Sequence, residues 1–232
     1  MSDIFDCRDD AQLLPGMRQA RQAIGRGALV VIPTDTVYGV AADAFNAAAV
    51  QRLLDAKGRT RESPPPVLVA GTAMVRALVA DLPEPVERLI EKFWPGGLTI
   101  VLPAQPSLTW DLGETRGTVA VRMPDHRIAL ELIEETGPLA VSSANLTGEA
   151  AAVDVLSAHQ MLGDRIDVYL DSGPVATGVP STILDATGLA PGTARILRIG
   201  AVSADEIREV IGDLLEDPAA PVETDADAAG SA

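Results

Sequence analysis

The chain has 232 residues, 47% apolar, 22% charged and only 3% aromatic, so it is long enough to bury a sizeable core built mainly of Ala, Val, Leu and Ile. Acids outnumber bases by 33 to 18, a formal charge of −15 at pH 7 that argues against a broad basic face for nucleic acid. One cysteine, Cys7, and two histidines, His126 and His159, supply neither a disulfide framework nor a Cys/His zinc set, and no apolar run approaches the roughly 18 residues of a membrane span.

The first residues, MSDIFDCRDD, lack the basic and apolar regions of a signal peptide, and with the single cysteine they point to a cytoplasmic protein. Helix-like spacing runs from Leu13 to Ile24, and Gly25 and Gly27 offer a stop before a strand at 28–32. The strand ends in PTDTVYG, 33–39, which crowds Thr34, Asp35, Thr36 and Tyr38 together. A turn that only reverses the chain needs one or two turn formers, so these hydroxyls point to a held ligand. Asn46 caps a helix through Ala56 with Val50, Leu53 and Leu54 on one face, and that helix delivers KGRTRESPPP.

A short buried strand is expected at 67–70, followed by helices at 72–79 and 84–93, the turn Pro95-Gly96-Gly97 and a strand at 98–102. VAVRM, 119–123, alternates as a strand, 128–135 reads as an amphipathic helix, and 138–142 as another buried strand before the hydroxyl-rich loop SSANLTG. A helix at 154–162, strands at 167–170, 181–186 and 195–199, and a helix at 204–215 complete the pattern. Strands interleaved with helices give an α/β class with a mixed sheet. Residues 1–215 read as one domain, and 216–232, rich in Ala, Pro and acid, as a disordered acidic tail.

Chemistry-bearing residues gather where strands and helices end, which is where open α/β sheets bind ligands. Lys57, Arg59 and Arg61 precede the stiff Ser63–Pro66 segment, which limits their splay and suits a polyanion; a solvated helix end explains them about equally well. Ser143, Asn145 and Thr147 suit a self-capped turn, but four polar groups in six residues after a buried strand better fit a cradle for phosphate or a hydrated cation. Arg122 and Arg198 end strands, and Arg122 at a pocket would fork a carboxylate. His126 and His159 read as surface or capping residues. No GxxxxGKS/T loop and no GxSxG elbow occurs, so a nucleotide must be held by side-chain cations and serine-hydrolase chemistry is a poor fit.

In order, PTDTVYG, KGR, FWPGGLT, VAVRMPDH, SSAN, PSTILD and LRIG resemble the YrdC-like family of threonylcarbamoyl-AMP synthases from about Gly27 to Gly200. The resemblance implies a YrdC-like twisted mixed β-sheet with flanking helices around a positively charged cavity. It also implies a reaction joining L-threonine, bicarbonate and ATP into threonylcarbamoyl adenylate and pyrophosphate, with Mg2+ accompanying the ATP. A downstream tRNA threonylcarbamoyl transferase would use the product on the adenosine next to the anticodon, with weak or no direct tRNA binding by this chain.

By position, Thr34, Thr36, Tyr38, Arg122, Ser143 and Ser181 would line the threonine pocket. Lys57, Arg59, Ser63, Thr118, Asn145, Val153 and Arg198 would meet ATP, with Lys57, Arg59, Ser143 and Asn145 as the catalytic group and no metal held by protein ligands alone. Where many members read KGRPxxNPLxVH, Ser63 stands in place of an amide and Leu68 in place of a histidine. Two rivals differ in class. A carbamoyl-adenylate-forming domain of the hydrogenase-maturation type would carry cysteine-rich zinc modules, which one cysteine cannot build. An RNA-binding module would need more base than this composition offers.

Overall fold

A computed structural model describes residues 2–189 and 192–217. Its elements in chain order are β1 (Asp3–Asp6), α1 (Asp10–Gly25), β2 (Val30–Ile32), β3 (Gly39–Asp43), α2 (Ala47–Lys57), β4 (Val67–Leu68), α3 (Thr72–Leu78), α4 (Glu84–Phe93) and β5 (Leu98–Pro103). There follow β6 (Thr118–Arg122), α5 (Arg127–Thr136), β7 (Leu139–Ser143), α6 (Val155–Leu162), β8 (Val168–Asp171), β9 (Thr182–Asp185), β10 (Arg195–Arg198) and α7 (Ala204–Ile211). Most of the expected acidic tail, from residue 218 on, lies outside the described residues.

The strands form a single mixed sheet in the order β1-β8-β2-β3-β7-β4-β6-β5-β9-β10. Parallel pairs (β1 with β8, β2 with β8, β4 with β6, β5 with β9) are mixed with antiparallel ones such as β3 with β7 and β5 with β6. This is the mixed α/β sheet expected from the sequence, with two additional strands. β1 carries two acids in four residues and lies at an edge, so it lacks an apolar signature; β3, GVAAD, is built of small residues that are buried because β2 and β7 flank it. The last helix stops at Ile211 and tightens into a 3-10 turn, Gly212–Leu214.

Apolar packing divides into three regions. Met17, Ala20 and Ile24 of α1 meet Ile128 and Leu132 of α5 against one face of β2, β3 and β7. Leu53 and Leu54 of α2 pack with Val155 and Leu162 of α6 on the opposite face, around Val31, Val40 and Tyr169. Under the other half of the sheet, Val86, Leu89 and Ile90 of α4 and Ile207 of α7 cover Leu98, Ile100, Val121 and Leu184. The half made of β4, β6, β5 and β9 therefore has one face in the core. Its other face remains to form a cavity.

Candidate active site

Strand alternation builds the cavity wall. In β5, Leu98, Ile100 and Leu102 enter the core while Thr99 and Val101 face the cavity. In β6, Val121 packs inward while Ala120 and Arg122 face out; beside β9, Leu184 is core while Ser181 and Ile183 line the wall. The Thr34–Gly39 loop, Ser142 and Ser143 at the end of β7, Pro64–Pro66 and Leu68 around β4, and Leu197 and Arg198 of β10 complete a space of about 700 Å³.

At one end the loop before β3 is folded around its own hydroxyl. Thr34 Oγ1 donates to Val37 O at 2.6 Å and accepts from Thr36 N at 3.2 Å and Val37 N at 3.3 Å, a local side-chain turn that aims Thr36 at Arg122. The Arg122 guanidinium donates Nε–H to Gly96 O at 2.8 Å, Nη1–H to Thr36 Oγ1 at 2.9 Å and Nη2–H to Asp35 Oδ1 at 2.5 Å. Of its five N–H groups one remains on each terminal nitrogen, the pair a carboxylate needs. Burial lowers its pKa, and the Asp35 carboxylate opposes that shift.

Beside it, Ser181 Oγ pairs with Thr99 Oγ1 at 2.8 Å, and Arg198 donates to Ser181 O from Nε at 3.1 Å and from Nη2 at 2.7 Å. Arg59 donates to Ser142 Oγ at 3.0 Å. Burial lowers the pKa of both arginines, and Arg59 further lowers that of Arg198, as close like charges do. Four arginines, Arg59, Arg198, Arg122 and Arg116, thus border one cavity that also carries Glu62 and Glu114.

Nine of the expected site residues line this space: Thr34, Thr36, Tyr38, Arg59, Thr118, Arg122, Ser143, Ser181 and Arg198. Tyr38 shapes the wall while its hydroxyl serves the fold, donating to Gly173 O at 2.6 Å and accepting from Ser172 N at 3.0 Å, which ties down the loop after β8. Lys57 is corrected as a phosphate contact. It is 1% exposed, outside the cavity lining, and its Nζ donates to Ser143 O, to Asn145 O at 2.6 Å and to Asn145 Oδ1 at 3.2 Å. Desolvation, with a smaller push from Arg59, brings this ammonium down to about 7.

Asn145 stands with Lys57 behind the wall, its amide donating to Leu146 O and Glu149 O, each at 2.8 Å. Ser63 and Val153 are exposed and do not line the cavity. The cause of the split between Lys57 and Arg59 is local. Gly58 caps α2 in the left-handed conformation with φ 66°, so the chain turns between them; Arg61 then leaves the group altogether to pair with Asp111 at 2.7 Å. His126 is also more than a surface cap: its Nε2 meets Ser172 Oγ at 3.2 Å and its Nδ1 is buried without a partner among the described residues. Asp35, which fixes Arg122, and Ser142, which fixes Arg59, belong to the site; both lie in the polar loops that the sequence marked, but neither was given a ligand contact or the task of holding an arginine.

The family model Sua5_yciO_yrdC, described as "Telomere recombination", matches residues 22–200. A Mycobacterium leprae protein provisionally named as a threonylcarbamoyl-AMP synthase is 51% identical over 212 residues, covering 91% of this chain and 95% of that one. The Bacillus subtilis threonylcarbamoyl-AMP synthase is 38% identical over 202 residues, covering 86% of this chain and 58% of its own. Among solved structures, Pyrococcus abyssi Sua5 complexed with L-threonine superposes with a TM-score of 0.81 at 37% identity, covering 86% of this chain and 58% of that one. The chain thus spans less than two thirds of the Bacillus and Pyrococcus proteins.

Proposed function

Because the chain belongs to the Sua5/YciO/YrdC family, we propose that it is an L-threonylcarbamoyladenylate synthase, a nucleotidyltransferase that makes threonylcarbamoyl-AMP for the modification of tRNA adenosine next to the anticodon. The observation that carries this reading is the convergence of Thr36 and Arg122 with Arg59 and Arg198 on one cavity, with Ser143 and Ser181 on the same wall. A hydroxyl next to a forked cation suits an amino acid carboxylate; two nearby guanidinium groups suit phosphates.

The chemistry balances without a covalent enzyme intermediate. The amine of L-threonine takes up carbon dioxide from bicarbonate as a carbamate, releasing water; a carbamate oxygen then attacks the α-phosphorus of ATP, forming the mixed anhydride as the bond to pyrophosphate breaks. Both reactants are anionic, and two unit charges ~4 Å apart repel by roughly 4 kcal/mol at an effective dielectric near 20. Arg59 and Arg198 offset that repulsion on the phosphate side, while Arg122, held by Asp35 and Thr36, orients the threonine. Lys57 acts as a positioning residue: it fixes the backbone of Ser143 and Asn145, and through them the Ser143 hydroxyl. Thr118 borders the nucleotide. Leu68 gives the threonine end an apolar wall where the family pattern has a histidine.

The cavity's neutral oxygens, among them the Ser142 and Ser143 hydroxyls, fit Mg2+ carried in on ATP better than a dedicated cage, and no group of three or more His, Cys, Asp or Glu side chains able to hold a metal occurs among the described residues. The ion would neutralise phosphate charge, with these hydroxyls and water completing its shell. A separate tRNA threonylcarbamoyl transferase consumes the product, and this chain has weak or no direct contact with tRNA. No helix among the described residues is long and apolar enough to cross a membrane, and we place the reaction in the cytoplasm.

The test is mass detection of the adenylate from labelled bicarbonate. Label in the product and pyrophosphate release are expected only with threonine, bicarbonate and ATP together; turnover independent of threonine would refute the reading.

A further inference from the structure

Arg116 lies on the cavity wall in a turn that a long side chain should avoid. Thr118 N donates to Thr115 O at 3.0 Å, and the two residues between have positive φ, 52° at Arg116 and 78° at Gly117. That is the pattern of a type I′ turn, whose first central position favours Asn, Asp or Gly because a larger side chain crowds its own backbone there. Among the described residues Arg116 alone has positive φ without being glycine. A backbone held in that region by its surroundings points to a functional role for the side chain.

The side chain is not spent on the fold. Arg61 pairs with Asp111 and Arg122 with Asp35, whereas the Arg116 guanidinium has no hydrogen bond or ion pair among the described residues. The lining residues next to it along the chain are Leu112, Val119 and the carboxylate-bearing Glu114, and Glu62, Pro64 and Pro65 follow Arg61 on the adjoining segment. Glu114 N donates to Arg61 O at 2.8 Å, which brings the two segments carrying those carboxylates side by side. Carboxylates repel phosphate, so this part of the cavity cannot be the phosphate end. An apolar wall with one unpaired planar cation suits a heteroaromatic ring, on whose face a guanidinium stacks.

We propose that Arg116 lays its guanidinium over the base of the bound nucleotide, so that this end of the cavity selects the aromatic ring while Arg59 and Arg198 take the phosphates. The proposal rests on ATP being the nucleotide of the reaction above, and it makes Arg116 a determinant of base affinity.

Calorimetric titration of the full chain with ATP, AMP and inorganic tripolyphosphate, at one salt concentration, separates the contributions. Arg116→Ala and Arg116→Lys, the second keeping the charge but losing the plane, are each expected to weaken AMP and ATP about tenfold and to leave tripolyphosphate within about twofold. Arg116→Asn is expected to cause the same loss and to raise Tm by a few degrees, since it gives the turn its preferred Asn-Gly pair. Loss of tripolyphosphate affinity with AMP unchanged would make Arg116 a phosphate contact, and unchanged affinity for all three would make it a bystander; either result overturns the proposal. Parent protein that binds ATP alongside an unaffected Arg116→Ala variant removes this inference alone, whereas parent protein that fails to bind ATP removes the functional reading and this inference with it.

Discussion

Arg122 divides its guanidinium between Gly96 O, Thr36 and Asp35, so fold and substrate would draw on the same group. Its side chain is 7% exposed and that of Asp35 19%, which makes the pair a mostly buried one whose disruption leaves an uncompensated charge. Asp35→Asn is therefore expected to cost about 3 kcal/mol in urea unfolding. An unpaired guanidinium also attracts a carboxylate more strongly, so added L-threonine should raise the Tm of this variant more than that of the parent. Equal shifts would separate Arg122 from threonine. Lys57 provides a pH test. Its folded pKa, about 7, lies below the ordinary lysine value of 10.5, so between those values the unfolded chain binds more protons and this residue's contribution to stability rises with pH; below about 7 it is flat. Against a Lys57→Met variant, the parent's stability should gain up to about 1.4 kcal/mol per pH unit across that window, read from urea midpoints at pH 6, 7.5 and 9. A difference that stays flat from pH 6 to 9 would mean that the three oxygens around Nζ, not burial, dominate.

Among elements, those with strong periodicity were legible. The 3.6-residue pattern of α2 and the Asn46 cap, which accepts from Ala49 N at 3.0 Å, could be read directly, as could the alternation in β6 that sends Arg122 and Val121 to opposite faces. β3 could not be read, because GVAAD carries only small side chains and becomes a strand by pairing with β2 and β7. Nor could the parting of Lys57 from Arg59, since it follows from the left-handed Gly58 and from where β7 ends relative to α2. The same dependence on neighbouring backbone governs β9 and β10. A Cβ on Gly200 would lie 2.1 Å from Pro180 O and 2.6 Å from Ser181 C, so Gly200→Ala must push the start of β9 away. Ser181 carries both the contact with Arg198 and the pair with Thr99. The substitution is expected to cost about 1–3 kcal/mol and to lower adenylate formation by more than its loss of folded protein explains, as measured at a temperature where the variant is fully folded. Full activity in a folded Gly200→Ala variant would show that Ser181 needs no such precision.

At the scale of the whole molecule, an acidic chain with a formal charge of −15 has to recruit anions locally, and the distribution of its arginines shows how it can. On the outer surface Arg8, Arg21, Arg26, Arg76 and Arg208 each face a carboxylate within 3.3 Å, whereas Arg59, Arg116 and Arg198 on the cavity wall form no ion pair with a carboxylate among the described residues. Beyond a Debye length of about 8 Å at physiological salt the net charge is screened, so the phosphates of a small polyanion that enters the cavity meet mainly Arg59 and Arg198. A long polyanion meets the outer surface instead, where many cations are already paired with carboxylates and acids are in excess. Full-length tRNA is therefore expected to show no mobility shift with micromolar protein at 150 mM salt while ATP still binds under the same conditions. Retardation of tRNA that falls steeply with added salt, with no ATP-dependent turnover, would instead assign the cavity arginines to an RNA backbone. Neutralising substitutions on the surface, such as Glu131→Gln with Glu135→Gln on α5, should leave ATP affinity unchanged, because their charges lie outside the cavity lining and are screened from it.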